Sequence, residues 1–194
     1  MQNMVFFHVG WMKCYEGVDD DKIHDGGEFV NENGYGFEIY NYHEIDGKVY
    51  GYVESGGYKK GSREIHIERL GAARNDYSIS DILVVWTATH PKGGIYIIGW
   101  YKNATVYRHS QDASNMPDRM YKDKLDKDIY LEYNAVAKAT DAKLLPENER
   151  TFRIPRGKGG KGHSNLWYCD DPSTAAIYRD DVLKYIKPKE IGKK

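Results

Sequence analysis

Cysteine is nearly absent. Cys14 and Cys169 are the two in 194 residues, and their wide separation in no metal-ligand spacing excludes a zinc framework and a disulfide-stapled scaffold. Free thiols suit a reducing compartment. Charge of one sign is lacking as well, since 28 Lys and Arg stand against 29 Asp and Glu. Whole-chain charge therefore gives no case for a nucleic-acid partner, and any such role must come from local patches. Long apolar runs are missing too: the opening MQNMVFFHVGWMKCYEG is too short and lacks the basic start of a signal peptide, and nothing later reaches the length of a membrane span. The expectation is a soluble, cytoplasmic protein with no membrane partner. The catalytic patterns H-x-x-x-H, H-x-E with C-x-x-C, G-x-S-x-G and the Walker loop are all absent, so no catalytic residue, cofactor or metal ligand is assigned.

Tyrosine and tryptophan are abundant, at 17 and four against five Phe. Each carries a polar handle that suits binding surfaces and half-buried strands alike. The densest stretch is Ile82 to Arg108, ILVVWTATHPKGGIYIIGWYKNATVYR. Ile82–Ala88 and Ile95–Tyr101 are β-branched and aromatic runs, and THPKGG supplies the Pro and Gly of a connection, which predicts an antiparallel hairpin. Trp86, Trp100 and Tyr101 then sit at the strand ends beside Lys102, Asn103 and Arg108, the composition of a pocket wall.

Met4–Val9 reads as an opening strand. The acidic run Asp19-Asp20-Asp21 lacks the spaced ligands of a calcium loop and reads as a solvated turn. Gly36–Tyr42 and Lys48–Val53 are strand-like and joined through Asp46-Gly47, a strong hairpin signal. Ser55–Gly61 reads as a loop without the Lys-Ser/Thr of a phosphate loop. Arg63–Leu70 alternates as a strand, with Glu64, His66 and Glu68 on its outer face. Later come a helical turn at Asp118–Tyr121, a short helix at Tyr133–Ala142, and strands at Phe152–Pro155 and Ser164–Cys169. Asp171 and Pro172 read as the N-cap and first turn of a helix through Ile186, stopped by Pro188. Residues 1–187 form one domain, and 188–194 a basic tail or the start of a linker. The order of elements predicts an α+β fold on a curved, mainly antiparallel, barrel-like sheet flanked by short helices.

The words GWYKNATVYR (Gly99–Arg108), YNAVAKATDAKLLP (Tyr133–Pro146) and GHSNLWY (Gly162–Tyr168) resemble a bacterial domain of modification-dependent restriction proteins, where a related module precedes an HNH nuclease. More distantly the chain is similar to the PUA-like superfamily of modified-base readers, with its SRA, EVE, YTH and ASCH domains. That resemblance implies a barrel whose aromatic cavity receives a base carrying a small modification. It implies double-stranded DNA with a modified base as partner, and a fused or associated HNH nuclease beside it.

A flipped base offers two π faces and one hydrogen-bonding edge. The candidate pocket is Trp86, Trp100, Tyr101 and Trp167 for stacking, with Asn103 and Asn165 to read the edge. Candidate backbone contacts are Lys102, Arg108 and the glycine-rich basic stretch of Arg153, Arg156, Lys158 and Lys161, which has no acidic residue between Phe152 and Ser164. Three alternatives stand beside this non-catalytic DNA sensor. One is a metal-dependent nuclease built on Asp118, Asp141 and Lys143; the others are an RNA-modification reader and a protein-interaction module.

Overall fold

The protein is described by a computed structural model that covers residues 3–56, 64–157 and 160–191. In chain order the elements are β1 (Met4–Val9), α1 (Gly27–Asn33), β2 (Glu44–Ile45), β3 (Lys48–Gly51), β4 (Ser78–Thr89), β5 (Ile95–Gln111), β6 (Met120–Lys122), β7 (Asp128–Tyr130), β8 (Tyr133–Lys138), β9 (Ala142–Leu144), β10 (Leu166–Trp167) and α2 (Ala175–Ile191). The fold is α+β. Its main sheet runs β10-β1-β4-β5-β8-β3-β2, with β9 on β5; β6 and β7 pair separately. Pairing is mostly antiparallel, with β1 parallel to β4, and the sheet does not close into the expected barrel.

The β4–β5 hairpin is the backbone of the molecule, and its strands are longer than the apolar runs alone imply. Val85 faces Trp100, and the turn closes through His90 N–H to the Gly94 carbonyl at 2.8 Å. Gly93 and Gly94 turn it at φ 92° and 90°, where a Cβ would be strained. Both sheet faces are buried along this stretch, which is why the strands read as continuous apolar runs rather than alternations. Val5, Phe7, Val84, Trp86 and Tyr101 enter the larger core beneath the N-terminal segments. Met4, Phe6, Leu83, Val85 and Trp100 enter a second core, covered by Val182 and Ile186 of α2.

Several sequence expectations are corrected. Tyr133–Ala142 is not a helix: Ala135 and Val136 pair with Val106 and Thr105 on one side and with Gly51 and Tyr50 on the other, and this two-sided ladder overrides the helix propensity of an Ala-rich run. Gly36–Tyr42 is not a strand but carries a 3-10 helix at Phe37–Tyr40, and a second one at Ile67–Leu70 replaces the expected strand there. The spacing of Ile65, Ile67 and Leu70, all buried, fits a tight turn as well as an alternation. The α2 helix starts later than expected, at Ala175; in the turn before it the Asp171 carboxylate accepts the Ser173 N–H at 2.8 Å and the Asp171 carbonyl accepts the Ala175 N–H at 2.8 Å. The helix continues through Pro188 to Ile191, so residues 188–191 are docked structure rather than tail: the Lys189 ammonium lies 3.1 Å from Glu149, and Glu190 pairs with Lys102. The proposed loop lies outside the described residues from 57 onward, as do Arg63 and 192–194.

Two buried arginines tie the non-strand segments down, Arg119 to the sheet and Arg150 to the loop beyond β1. Arg119 is fully buried and donates to the carbonyls of Tyr50 at 2.6 Å, Leu131 at 2.9 Å and Glu132 at 3.1 Å. Arg150 donates to Met12 and Lys13 carbonyls, each at 2.7 Å, with its guanidinium 4.7 Å from the centre of the Trp11 ring. Asp21 is not simply solvated: its carboxylate accepts the backbone N–H groups of Lys13, Cys14 and Tyr15, which shapes the loop beyond β1.

Candidate functional site

The hairpin aromatics do not make a cavity. Trp86, Trp100 and Tyr101 are fully buried, Trp86 and Tyr101 in the larger core and Trp100 across the sheet in the other. The Trp86 indole packs edge-on against Tyr101 at 5.2 Å and fills the space that a Cβ on Gly51 would need. Trp167 is half-buried under α2, 4.6 Å from Phe6 and 5.9 Å from Tyr178. Asn103 is exposed at φ 49° in the bulge where Lys102 and Asn103 stand opposite Leu83, and it donates to Asp141 at 3.3 Å. An asparagine there serves the left-handed backbone of the bulge. Of the six expected pocket residues, Asn165 alone lines the cavity.

The expected backbone contacts divide in the same way. Lys102 is held by Glu190, and Arg108 by Glu68 at 2.7 Å and the Asp76 carbonyl at 3.0 Å. Arg153 borders a smaller cleft of about 430 Å³ beside Gly94 and Pro155. Arg156 and Lys161 line the main cavity, and Lys158 lies outside the described residues. Of the nuclease candidates, Asp141 accepts from Asn103, and Lys143 reaches the Lys189 carbonyl. The outward Glu64-His66-Glu68 trio is held by Arg108 on Glu68, and among the described residues no group of His, Cys, Asp or Glu is arranged to hold a metal.

The main cavity measures about 710 Å³ and opens beyond the end of β1. The rings that line it are Phe29, and Phe37 and Tyr52 from the two stretches expected as strands, Gly36–Tyr42 and Lys48–Val53. Phe37 and Tyr52 lie 5.2 Å apart, Tyr35 stacks parallel to Phe37 at 6.5 Å, and Phe29 stands edge-on to both. Two buried asparagines hold the backbone at Tyr52 and Val53. Asn41 exchanges two hydrogen bonds with the backbone of Tyr52, at 2.8 and 3.0 Å, and Asn134 does the same for Val53, at 2.8 and 3.1 Å. These side-chain amides extend the β3 ladder past its last residue and aim Tyr52 and Glu54 at the opening.

Acidic and basic groups in this cavity are segregated. Glu38 accepts the Gly10 N–H at 3.1 Å, and burial, with the nearby Glu54 charge, raises its pKa. The Tyr52 hydroxyl donates to Glu54 at 3.0 Å, and burial lifts its pKa too. On the other side lie His8, Arg156 and Lys161. Burial, reinforced by the Lys161 and Arg156 charges, pushes His8 down to about 3, so its ring is neutral at ordinary pH. Its tautomer follows from its partners. The Thr87 hydroxyl donates to the Phe7 carbonyl and so accepts from His8 Nδ1, which leaves Nε2 to accept from the Thr89 hydroxyl; both contacts are 3.2 Å. Burial and Arg156 together lower Lys161 to about 8. The two sides meet at Asn165, whose backbone carbonyl accepts the His8 N–H at 2.8 Å and whose amide donates to the Glu54 carbonyl at 3.2 Å.

No family model, curated protein or solved structure matches the chain.

A sequence signal for this site did exist. The stretch GEFVNENGYGFEIYNY concentrates rings, amides and three carboxylates among glycines. Reading its second half, Gly36–Tyr42, as strand hid the 3-10 turn that leaves Phe37 at an opening.

Proposed function

We propose that this chain is a DNA-binding sensor that takes a flipped, chemically modified nucleotide into the cavity between Phe37, Tyr52, Glu38 and Asn165, in the service of modification-dependent restriction. One observation carries the proposal: a single cavity of about 710 Å³, well inside the range of about 300–1,000 Å³ usual for small-ligand sites, brings together aromatic rims, edge-reading polar groups and cations. Base–aromatic stacking contributes about 1–3 kcal/mol and offsets much of the cost of extruding a base. Glu38 and the free positions of the Asn165 amide supply acceptors and donors for the base edge. A PUA-like, barrel-related architecture belongs to the same reading, supported by the quoted words and by the α+β sheet. A fused or associated HNH nuclease is the partner it expects. The hairpin tryptophans have no part in ligand contact.

The test is fluorescence anisotropy with matched duplexes that differ in one modification alone: methylated or hydroxymethylated cytosine, methylated adenine, or backbone sulfur, with the corresponding RNA alongside. One modified duplex should bind at least about ten-fold tighter than the plain one, a difference of about 1.4 kcal/mol, and Asn165→Ala should reduce that ratio. Equal affinity for every oligonucleotide would contradict the proposal.

A further inference from the structure

Lys161 is the anomaly of this molecule. The residue is only 2% exposed, yet among the described residues its ammonium meets just two carbonyls, Ser164 at 2.8 Å and Gly162 at 3.4 Å. Among the described residues no carboxylate comes within ion-pairing distance of it or of Arg156. An ammonium has three N–H donors, and a buried charge is ordinarily paired. Both cations line the main cavity, and Arg156 is exposed within it. The segments carrying them are joined by a bridge between Arg156 and Lys161, and the Lys161 N–H bonds to the Pro155 carbonyl at 3.0 Å, which fixes their spacing. The neighbouring His8 keeps both ring nitrogens on threonine hydroxyls and offers no competing charge.

We propose that Lys161 and Arg156 form an oxyanion subsite inside the cavity, which holds a phosphate of the bound nucleotide. The oxyanion chemistry stands on these two residues; its assignment to a nucleotide rests on the function proposed above. The cavity thus accepts a whole nucleotide rather than a base alone, with the phosphate on the cationic side and the base on the side of Tyr52 and Glu38. A buried lysine with no counter-charge among the described residues is a burden to the free fold that the ligand relieves. An apolar isostere in its place should therefore leave the free protein at least as stable while abolishing the anion response.

The test compares inorganic phosphate with chloride at equal ionic strength, using melting temperature and 31P line broadening, on the wild type, Lys161→Met and Arg156→Gln. Phosphate should raise the wild-type melting temperature and broaden its own resonance. Both effects should vanish in Lys161→Met, whose melting temperature without phosphate should equal or exceed that of the wild type. Arg156→Gln replaces an exposed side chain that has no hydrogen-bond or ion-pair partner among the described residues, and should weaken phosphate binding about ten-fold with the fold intact. No phosphate effect on the wild type, or an undiminished one in both variants, would overturn the subsite. If phosphate binds through Lys161 but no oligonucleotide in the duplex panel is preferred, the subsite stands and the modified-nucleotide reading falls.

Discussion

Two aromatic regions of this chain look alike on paper and behave oppositely in the fold. Trp86, Trp100 and Tyr101 sit on long paired strands covered on both faces, and no ring edge among them reaches an opening. Phe29 sits on the short α1, Phe37 on a 3-10 turn and Tyr52 just past the end of β3, and all three line the cavity. The difference lies in what holds the backbone. A ladder paired on both sides and packed above and below consumes its side chains as core. The Tyr52–Val53 backbone, held by buried amides from Asn41 and Asn134 rather than by a second strand, leaves the Tyr52 ring at the rim.

The largest expected effect separates the two regions by stability. Trp86→Ala removes a fully buried indole from among Phe7, Tyr101 and Gly51, and should cost about 3–5 kcal/mol in urea denaturation. Binding, measured below the melting temperature, should keep its preference among duplexes. Retained stability would mean that the hairpin rings are not the core that they are described to be.

Asn41→Ala sharpens the comparison from the other side. It leaves the Tyr52 N–H and carbonyl without partners in a nearly dry place, at a cost of about 2 kcal/mol. It should also release Tyr52 and Glu54 from their aim, so that ligand affinity and stability fall together. The measurement is a paired denaturation and anisotropy series. A loss of stability with affinity untouched would dissociate Tyr52 from the site.

A third expectation concerns pH. His8 has a folded-state pKa of about 3, far below its ordinary value. Between about 6.5 and that lower value the unfolded chain binds a proton that the folded one refuses, so stability falls as pH drops through this window and is flat with respect to His8 below it. The wild type should lose about 2 kcal/mol more than His8→Gln between pH 7 and pH 4.5 in urea denaturation. Parallel curves for the two proteins would contradict a neutral His8 locked between Thr87 and Thr89.

Much of the scaffold was legible in the sequence. The β4–β5 hairpin, β1, the Asp46-Gly47 turn at φ 50° and 74°, and the strand around Trp167 all follow from apolar runs and turn chemistry. What escaped was decided at long range. The Tyr133–Lys138 segment has helix-forming residues, and only its two strand neighbours make it β8. The aromatic residues of the hairpin could not be sorted into core or pocket, because whether a sheet is covered on one face or two depends on α2 and the N-terminal segments. Within the site, Asn165, Arg156 and Lys161 were legible because a basic, glycine-rich loop beside a Trp-Tyr strand is a local pattern. His8 and Glu38 were not, since an isolated histidine or glutamate carries no local sign that it faces a cavity.

The central claim is that the ligand enters beside Tyr52 and not beside the hairpin tryptophans. Its most direct test is the affinity ratio between the preferred modified duplex and its plain counterpart, measured for the wild type and Tyr52→Ala. Tyr52 lies at the rim, so its loss should lower stability by only about 1 kcal/mol. The ratio should collapse toward one in Tyr52→Ala while that protein stays folded; a ratio unchanged from the wild type would contradict the account.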